Sequence, residues 1–186
     1  QGLYARVFSR TNKRIVPKIE ELEGGWNIHF SGKKKLHDVY DTQQADIMVY
    51  SHLTAINQKA KQFVSSAWLD EPLLAYTNLR QSCNAYWDGF SVNFYSGSKK
   101  WANTGLIADI IYHEWGHGLD ANTGGIMDGA FSEGFSDIMS LIMTGSSDLG
   151  IGFFRSDFSP VRDLEPDRVY PRDRGEVHEE GLIIAS

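Results

Sequence analysis

The chain is short of several things, and each shortage removes a class of protein. It has one cysteine, Cys83, so it can form neither an internal disulfide nor a thiolate metal cluster, and any metal site must be built from histidine and carboxylate. It has no apolar run of the roughly 18 residues that a membrane span needs. The richest stretch, Leu106 to Tyr112, is interrupted by Asp109, which predicts a soluble chain with no membrane partner. Positive charge is scarce too. Eighteen Lys plus Arg stand against 24 Asp plus Glu, a net charge of −6, whereas a nucleic-acid partner would require a basic face. There is no internal repeat, low-complexity tract or Pro/Ser-rich linker, so the 186 residues read as one continuous unit. A leader with a basic start and apolar middle is also missing, leaving Gln1 as the first residue of either a processed product or a cut chain.

What is present suits a packed fold, with 41% hydrophobic and 12% aromatic residues. Tyr4 to Val16 and Trp26 to Phe30 alternate in the manner of strands, broken by Glu23-Gly24-Gly25 and Ser31-Gly32, which predicts hairpins. Lys33, Lys34 and Lys35 read as a solvated loop tip rather than a binding patch. Between Gln43 and Val64, the spacing of Val49, Leu53, Ile56, Ala60 and Phe63 predicts a long helix packing one face on the sheet. Leu74 to Leu79 and Phe90 to Tyr95 return to strand alternation, with Phe90, Val92 and Phe94 on one side and Ser91 and Asn93 on the other. Asn103 or Thr104 is the expected N-cap of an apolar helix reaching at least Gly118. A second helix is expected to open at Asp128 and end at Gly145. Residues 146–176 are polar and turn-rich, and a last apolar stretch runs from Gly181 to Ser186.

The chemistry concentrates in His113-Glu114-Trp115-Gly116-His117, an H-E-x-x-H sequence inside the first of these apolar helices. Four residues turn about 400°, so both imidazoles leave one helix face and can share a Zn²⁺ ion. Glu114 projects about 100° away, where a carboxylate can deprotonate metal-activated water. The pattern arises by chance in about one chain of this composition in a hundred, so a third ligand is needed to decide. Glu133 lies on the next expected helix, beyond the turn-forming Asn122-Thr123-Gly124-Gly125. Asp137, one turn further, is positioned to accept a hydrogen bond from the far nitrogen of a ligand histidine. The competing reading is a solvated acidic stripe.

His113 to His117 with Glu133 and Asp137 resembles the gluzincin metallopeptidases of the thermolysin and fungalysin type. Asn84-Ala85-Tyr86-Trp87 is similar to the Asn-Ala-Phe-Trp edge-strand motif of that family, and Glu176-Val177-His178 with Gly181-Leu182-Ile183 resembles the segment carrying its second catalytic histidine. The resemblance implies an α+β, two-lobe fold. Residues 1–104 would form an N-terminal mixed α/β lobe, and 105–186 a mainly helical lobe that is incomplete at its C-terminus. It implies a zinc endopeptidase in which His113, His117 and Glu133 hold Zn²⁺ and Glu114 is the general base. His178, oriented by Asp173, would stabilise the oxyanion, while Asn84, Ala85, Tyr86 and Arg162 bind a peptide or protein substrate. It further implies an extracellular or periplasmic enzyme processed from a precursor, with a propeptide or a C-terminal fragment of the same precursor as a further partner. Two departures stand out. No Tyr lies between His117 and Glu133 to share oxyanion stabilisation, and Asp109, at a calcium-site position, lacks its acidic company, which Thr144-Gly145-Ser146-Ser147 replaces. The second departure tells against structural Ca²⁺. A metallopeptidase-fold binding or inhibitory protein that has lost turnover is the alternative, and a helical protein with a chance motif is the third reading.

Overall fold

The computed structural model describes residues 2–11 and 41–186, and, of the stretch between them, the backbone of 18–22, 25–29 and 36–40. Strand β1 (Ala5–Ser9) is followed by the antiparallel pair β2 (Lys18–Leu22) and β3 (Gly25–His29), then by helix α1 (Leu36–Ala60). The expected turns at Glu23-Gly24 and Ser31-Gly32, the strand beyond Thr11 and the Lys33 to Lys35 run lie outside the described residues. Strands β4 (Leu73–Leu79), β5 (Ala85–Trp87) and β6 (Ser91–Tyr95) complete a sheet of order β1-β4-β6-β5. The α1 crossover makes β1 and β4 parallel, and the β5 hairpin returns the chain so that β6 is parallel to β4 and antiparallel to β5. The sheet therefore ends on β5.

Val49, Leu53 and Ile56 lie buried on one face of α1, as their spacing requires. Phe63 departs from that stripe and is 78% exposed, because α1 ends at Ala60 and a turn carries the chain away from the core. Phe90 departs too, being 83% exposed in the hairpin turn, while Ser91 and Asn93 are buried. The reason is topological: β6 is an interior strand with both faces covered, and its polar side chains are satisfied locally by Asp88.

A 3₁₀ turn, Thr104–Leu106, precedes α2 (Ala108–Asn122). Asn103 caps that turn through Gly105 N–H rather than capping α2, whose N-cap, Ile107, has no side-chain bond. Asn103 is occupied elsewhere. Its amide donates to Asn78 Oδ1 at 2.7 Å, and Asn78, at φ +59° beside an irregularity in the β4–β6 pairing, donates to Ser9, Thr42 O and Asp46. This buried network ties the entry of α2 to β1 and α1. One apolar core then joins the sheet to α2 through Ile111, Tyr112, Trp115 and Leu119. Among the described residues no helix is long and apolar enough to cross a membrane.

Helix α3 (Gly129–Thr144) opens at Asp128, whose carboxylate accepts Phe131 N–H, and closes at left-handed Gly145, as the sequence predicts. It runs antiparallel to α2, pairing Ser140 with Asp109 and Ser132 with His117. The two backbones approach so closely that a Cβ on Gly116 would stand 2.9 Å from Ser136 Cα. The two-residue pair β7 (Asp148–Leu149) and β8 (Arg162–Asp163) follows, then α4 (Val177–Ala185), which gives the last apolar stretch a helical form. Helix α4 crosses α3 at two glycines, and a Cβ on Gly134 would lie 2.5 Å from Gly181 O. Backbone cannot yield there as a flexible side chain would. Gly134→Ala is expected to destabilise the protein by about 1–3 kcal/mol in chemical denaturation; an unchanged midpoint would show the α3–α4 crossing to be loose.

Candidate metal and substrate site

Helix α2 presents His113 and His117 one turn apart toward α3, with ring centroids 4.7 Å apart and Nε2 atoms 3.1 Å apart. Glu133 on α3 meets them, its carboxylate oxygens 3.1 Å from His113 Nε2 and 3.4 Å from His117 Nε2. Ligand atoms arranged tetrahedrally at 2.0–2.1 Å from a zinc ion stand about 3.3 Å from one another, so these separations suit three corners of such a site. Among the described residues, this is the group of His, Cys, Asp and Glu side chains that could hold a metal ion.

The electrostatics point the same way. Burial disfavours a proton on His113, yet Asp137 and Glu133, one at each ring nitrogen, raise its pKa to about 9. Burial also works against the Glu133 carboxylate, but the facing imidazoles hold it well below the usual carboxylate range. Glu133 Oε2 is nevertheless buried without a hydrogen-bond partner. A buried carboxylate oxygen left without a hydrogen-bond partner beside two imidazole nitrogens is an arrangement that a cation completes.

The surroundings fix these side chains. Asp137 is wholly buried, with Oδ1 2.8 Å from His113 Nδ1 and accepting Arg162 Nη2 at 2.7 Å. Arg162 reaches it because β8 is stitched to β7 beside α3, with Val161 N–H donating to Leu149 O. The cleft has a volume of about 780 Å³, and its lining includes Glu114, Arg162, His178, Asn84 and the β5 residues Ala85 to Trp87. Glu114 is buried, and desolvation raises its pKa despite the nearby imidazoles.

No family model matches the chain. A stretch of 74 residues is 34% identical to the gelatinase of Enterococcus faecalis, covering 37% of this chain and 14% of that protein. In three dimensions the chain matches the precursor of protealysin, a metalloproteinase from Serratia proteamaculans, with a TM-score of 0.63 and 17% identity, over 94% of this chain and 62% of that one. The fold is that of a thermolysin-type metalloproteinase. The chain spans less than two thirds of that neighbour and a small part of the gelatinase.

Within this thermolysin-type fold, the predicted residues His113, Glu114, His117, Glu133, Asp137, Arg162 and His178 gather around one cleft, with Asn84, Ala85 and Tyr86 on its sheet wall. Among the described residues β5 is an edge strand: it pairs with β6 and terminates the sheet. His178 stands at the rim, Nε2 3.5 Å from Glu133 Oε2. Asp173 is not brought to it. That carboxylate is taken by Arg172 and by Val169 N–H, whereas Glu176 Oε2 lies 2.8 Å from His178 Nδ1. Glu176 also caps α4 by accepting Glu179 N–H, which is why it sits close enough, and its place just before an apolar helix is the signal that could have found it. Asp109 accepts Gly150 N–H at 2.9 Å and belongs to no metal-binding group among the described residues. Cys83 is exposed at the cleft mouth.

The purified chain is expected to take up one zinc ion, measured by elemental analysis after dialysis. His117→Ala and Glu133→Ala should lose it and Glu114→Gln should keep it; equal zinc in all four proteins would place the metal elsewhere. A second expectation concerns the turn that closes the β5–β6 hairpin. Burial opposes the Asp88 charge, but hydrogen bonds from Phe90 N–H, Ser91 and Asn93 outweigh it and lower its pKa. A folded-state pKa below the unfolded one adds stability above about pH 4 and loses it as pH falls through the folded value. The gap in Tm between wild type and Asp88→Ala should therefore narrow from pH 7 to pH 3, and a gap independent of pH would contradict this.

Proposed function

We propose that the protein is a zinc-dependent endopeptidase that acts on extended peptide or protein substrates. The observation that carries this reading is the convergence of His113, His117 and Glu133 on one point, beside buried Glu114, in a cleft walled by an edge strand. Bound zinc would supply Lewis acidity to the attacking water and to the scissile carbonyl.

The remaining work belongs to the chain's own groups. The outer edge of β5 offers backbone N–H and C=O groups to a substrate strand, and Asn84 and Tyr86 flank that line. Glu114 takes a proton from the attacking water at its carboxylate and returns it to the leaving nitrogen, a task that suits a carboxyl group whose pKa burial has raised. His178, with Glu176 at Nδ1, turns Nε2 toward the cleft to donate to the oxyanion as it forms. Arg162 is committed to Asp137 and acts by holding His113 as well as by lining the cleft. The division at residue 104 is read as the seam between the sheet-bearing and helical walls. A processed product working outside the cytoplasm fits the precursor form of the structural neighbour.

Glu114→Gln is the decisive variant. It is expected to retain zinc and lose casein cleavage by at least about 100-fold, with wild-type cleavage abolished by a chelator. Undiminished cleavage by the variant would remove Glu114 from the mechanism, and chelator-resistant cleavage by wild type would remove the metal.

A further inference from the structure

The far nitrogens of the two imidazoles are held by different devices. His113 Nδ1 meets a carboxylate directly, Asp137 Oδ1 at 2.8 Å. His117 Nδ1 meets a hydroxyl, Ser132 Oγ at 3.2 Å, which by itself can either donate or accept. The next residue decides the direction. Ser132 Oγ lies 2.7 Å from Asp120 Oδ2, and a carboxylate only accepts, so the single hydroxyl proton is committed to Asp120. What faces His117 is then a serine lone pair. The ring proton must sit on Nδ1, which leaves the Nε2 lone pair turned toward His113 and Glu133.

We propose that Asp120 and Ser132 lock the tautomer and orientation of His117, as positioning residues for a metal ligand. The proposal rests on the zinc-site reading given above. Asp120 is well placed for this. It is buried, one helical turn after His117, and its second oxygen accepts Ile126 N–H at 2.6 Å, while its backbone carbonyl accepts Thr123 and Gly125 N–H. The residue that bridges α2 to α3 thus also sets the direction of the serine hydrogen bond. Ser132 sits in the first turn of α3, immediately before Glu133, so the connection that delivers the carboxylate also delivers the acceptor for the second imidazole.

The test uses the full chain as wild type, Ser132→Ala, Ser132→Thr and Asp120→Asn. In Asp120→Asn the amide oxygen can still accept Ile126 N–H, but its NH₂ then faces Ser132 and turns the hydroxyl proton toward His117. Zinc affinity, measured by competition with a chromophoric chelator, should weaken about 10–100-fold in Ser132→Ala and Asp120→Asn and return toward wild type in Ser132→Thr. In metal-free wild type, at a pH where the ring is neutral, ¹⁵N NMR should find the His117 proton on Nδ1. That measurement needs no variant and stands even if one fails to fold. A proton on Nε2, or zinc affinities in both disruptive variants within about twofold of a zinc-binding wild type, would overturn the lock. A wild type that binds no zinc would instead overturn the metal-site reading on which it rests.

Discussion

The Asp137 carboxylate is the contact on which the rest of the site depends. It is wholly buried, and a lone charge in that position would cost several kcal/mol. Here it is answered by His113 from α2 and Arg162 from β8, so three separate segments converge on one oxygen. Removing either partner would leave the buried carboxylate leaning on the other alone, which ties the positions of the His113 imidazole and the Arg162 guanidinium to each other. The α2–α3 approach at Gly116 makes this geometry available by bringing the backbones close enough for a short aspartate to span the gap.

Two assemblies meet at the cleft. The sheet provides a strand edge, held at its turn by Asp88 and backed by the Trp68, Trp87 and Trp115 aromatic contacts. The helices provide the titratable groups. Helix α2 belongs to both, because Ile111, Tyr112, Trp115 and Leu119 pack in the core with the sheet while His113 and His117 face α3. A bond between α1 and α2, with His52 Nδ1 2.6 Å from Tyr112 Oη, steadies it further. Rotation of α2 that moved the imidazoles would also have to break the core beneath it, so packing and chemistry restrain each other.

Much of this was legible in the residues, for reasons of locality. H-E-x-x-H declares its geometry through helical spacing alone, and the Asp128 and Gly145 caps are read from chemistry within one turn of each helix end. The β5 edge was legible through the likeness of Asn84 to Trp87 to a known motif. What escaped depends on distant partners. Burial of Ser91 and Asn93 follows from β6 being covered on both faces, which alternation cannot reveal. The exposure of Phe63 follows from where α1 stops. Glu176 rather than Asp173 meets His178 because the α4 cap carries it there, and the Asp120–Ser132 pair emerges only when α2 and α3 are folded together.

The proposed chemistry requires that two imidazoles and one carboxylate hold a zinc ion in the cleft. X-ray absorption at the zinc edge of the loaded protein tests it most directly. The expected spectrum shows a first shell of nitrogen and oxygen at about 2.0–2.1 Å, outer-shell scattering from two imidazole rings, and no sulfur. A sulfur scatterer at about 2.3 Å, which in this chain would implicate Cys83 or a methionine, or a shell with a single imidazole, would contradict it.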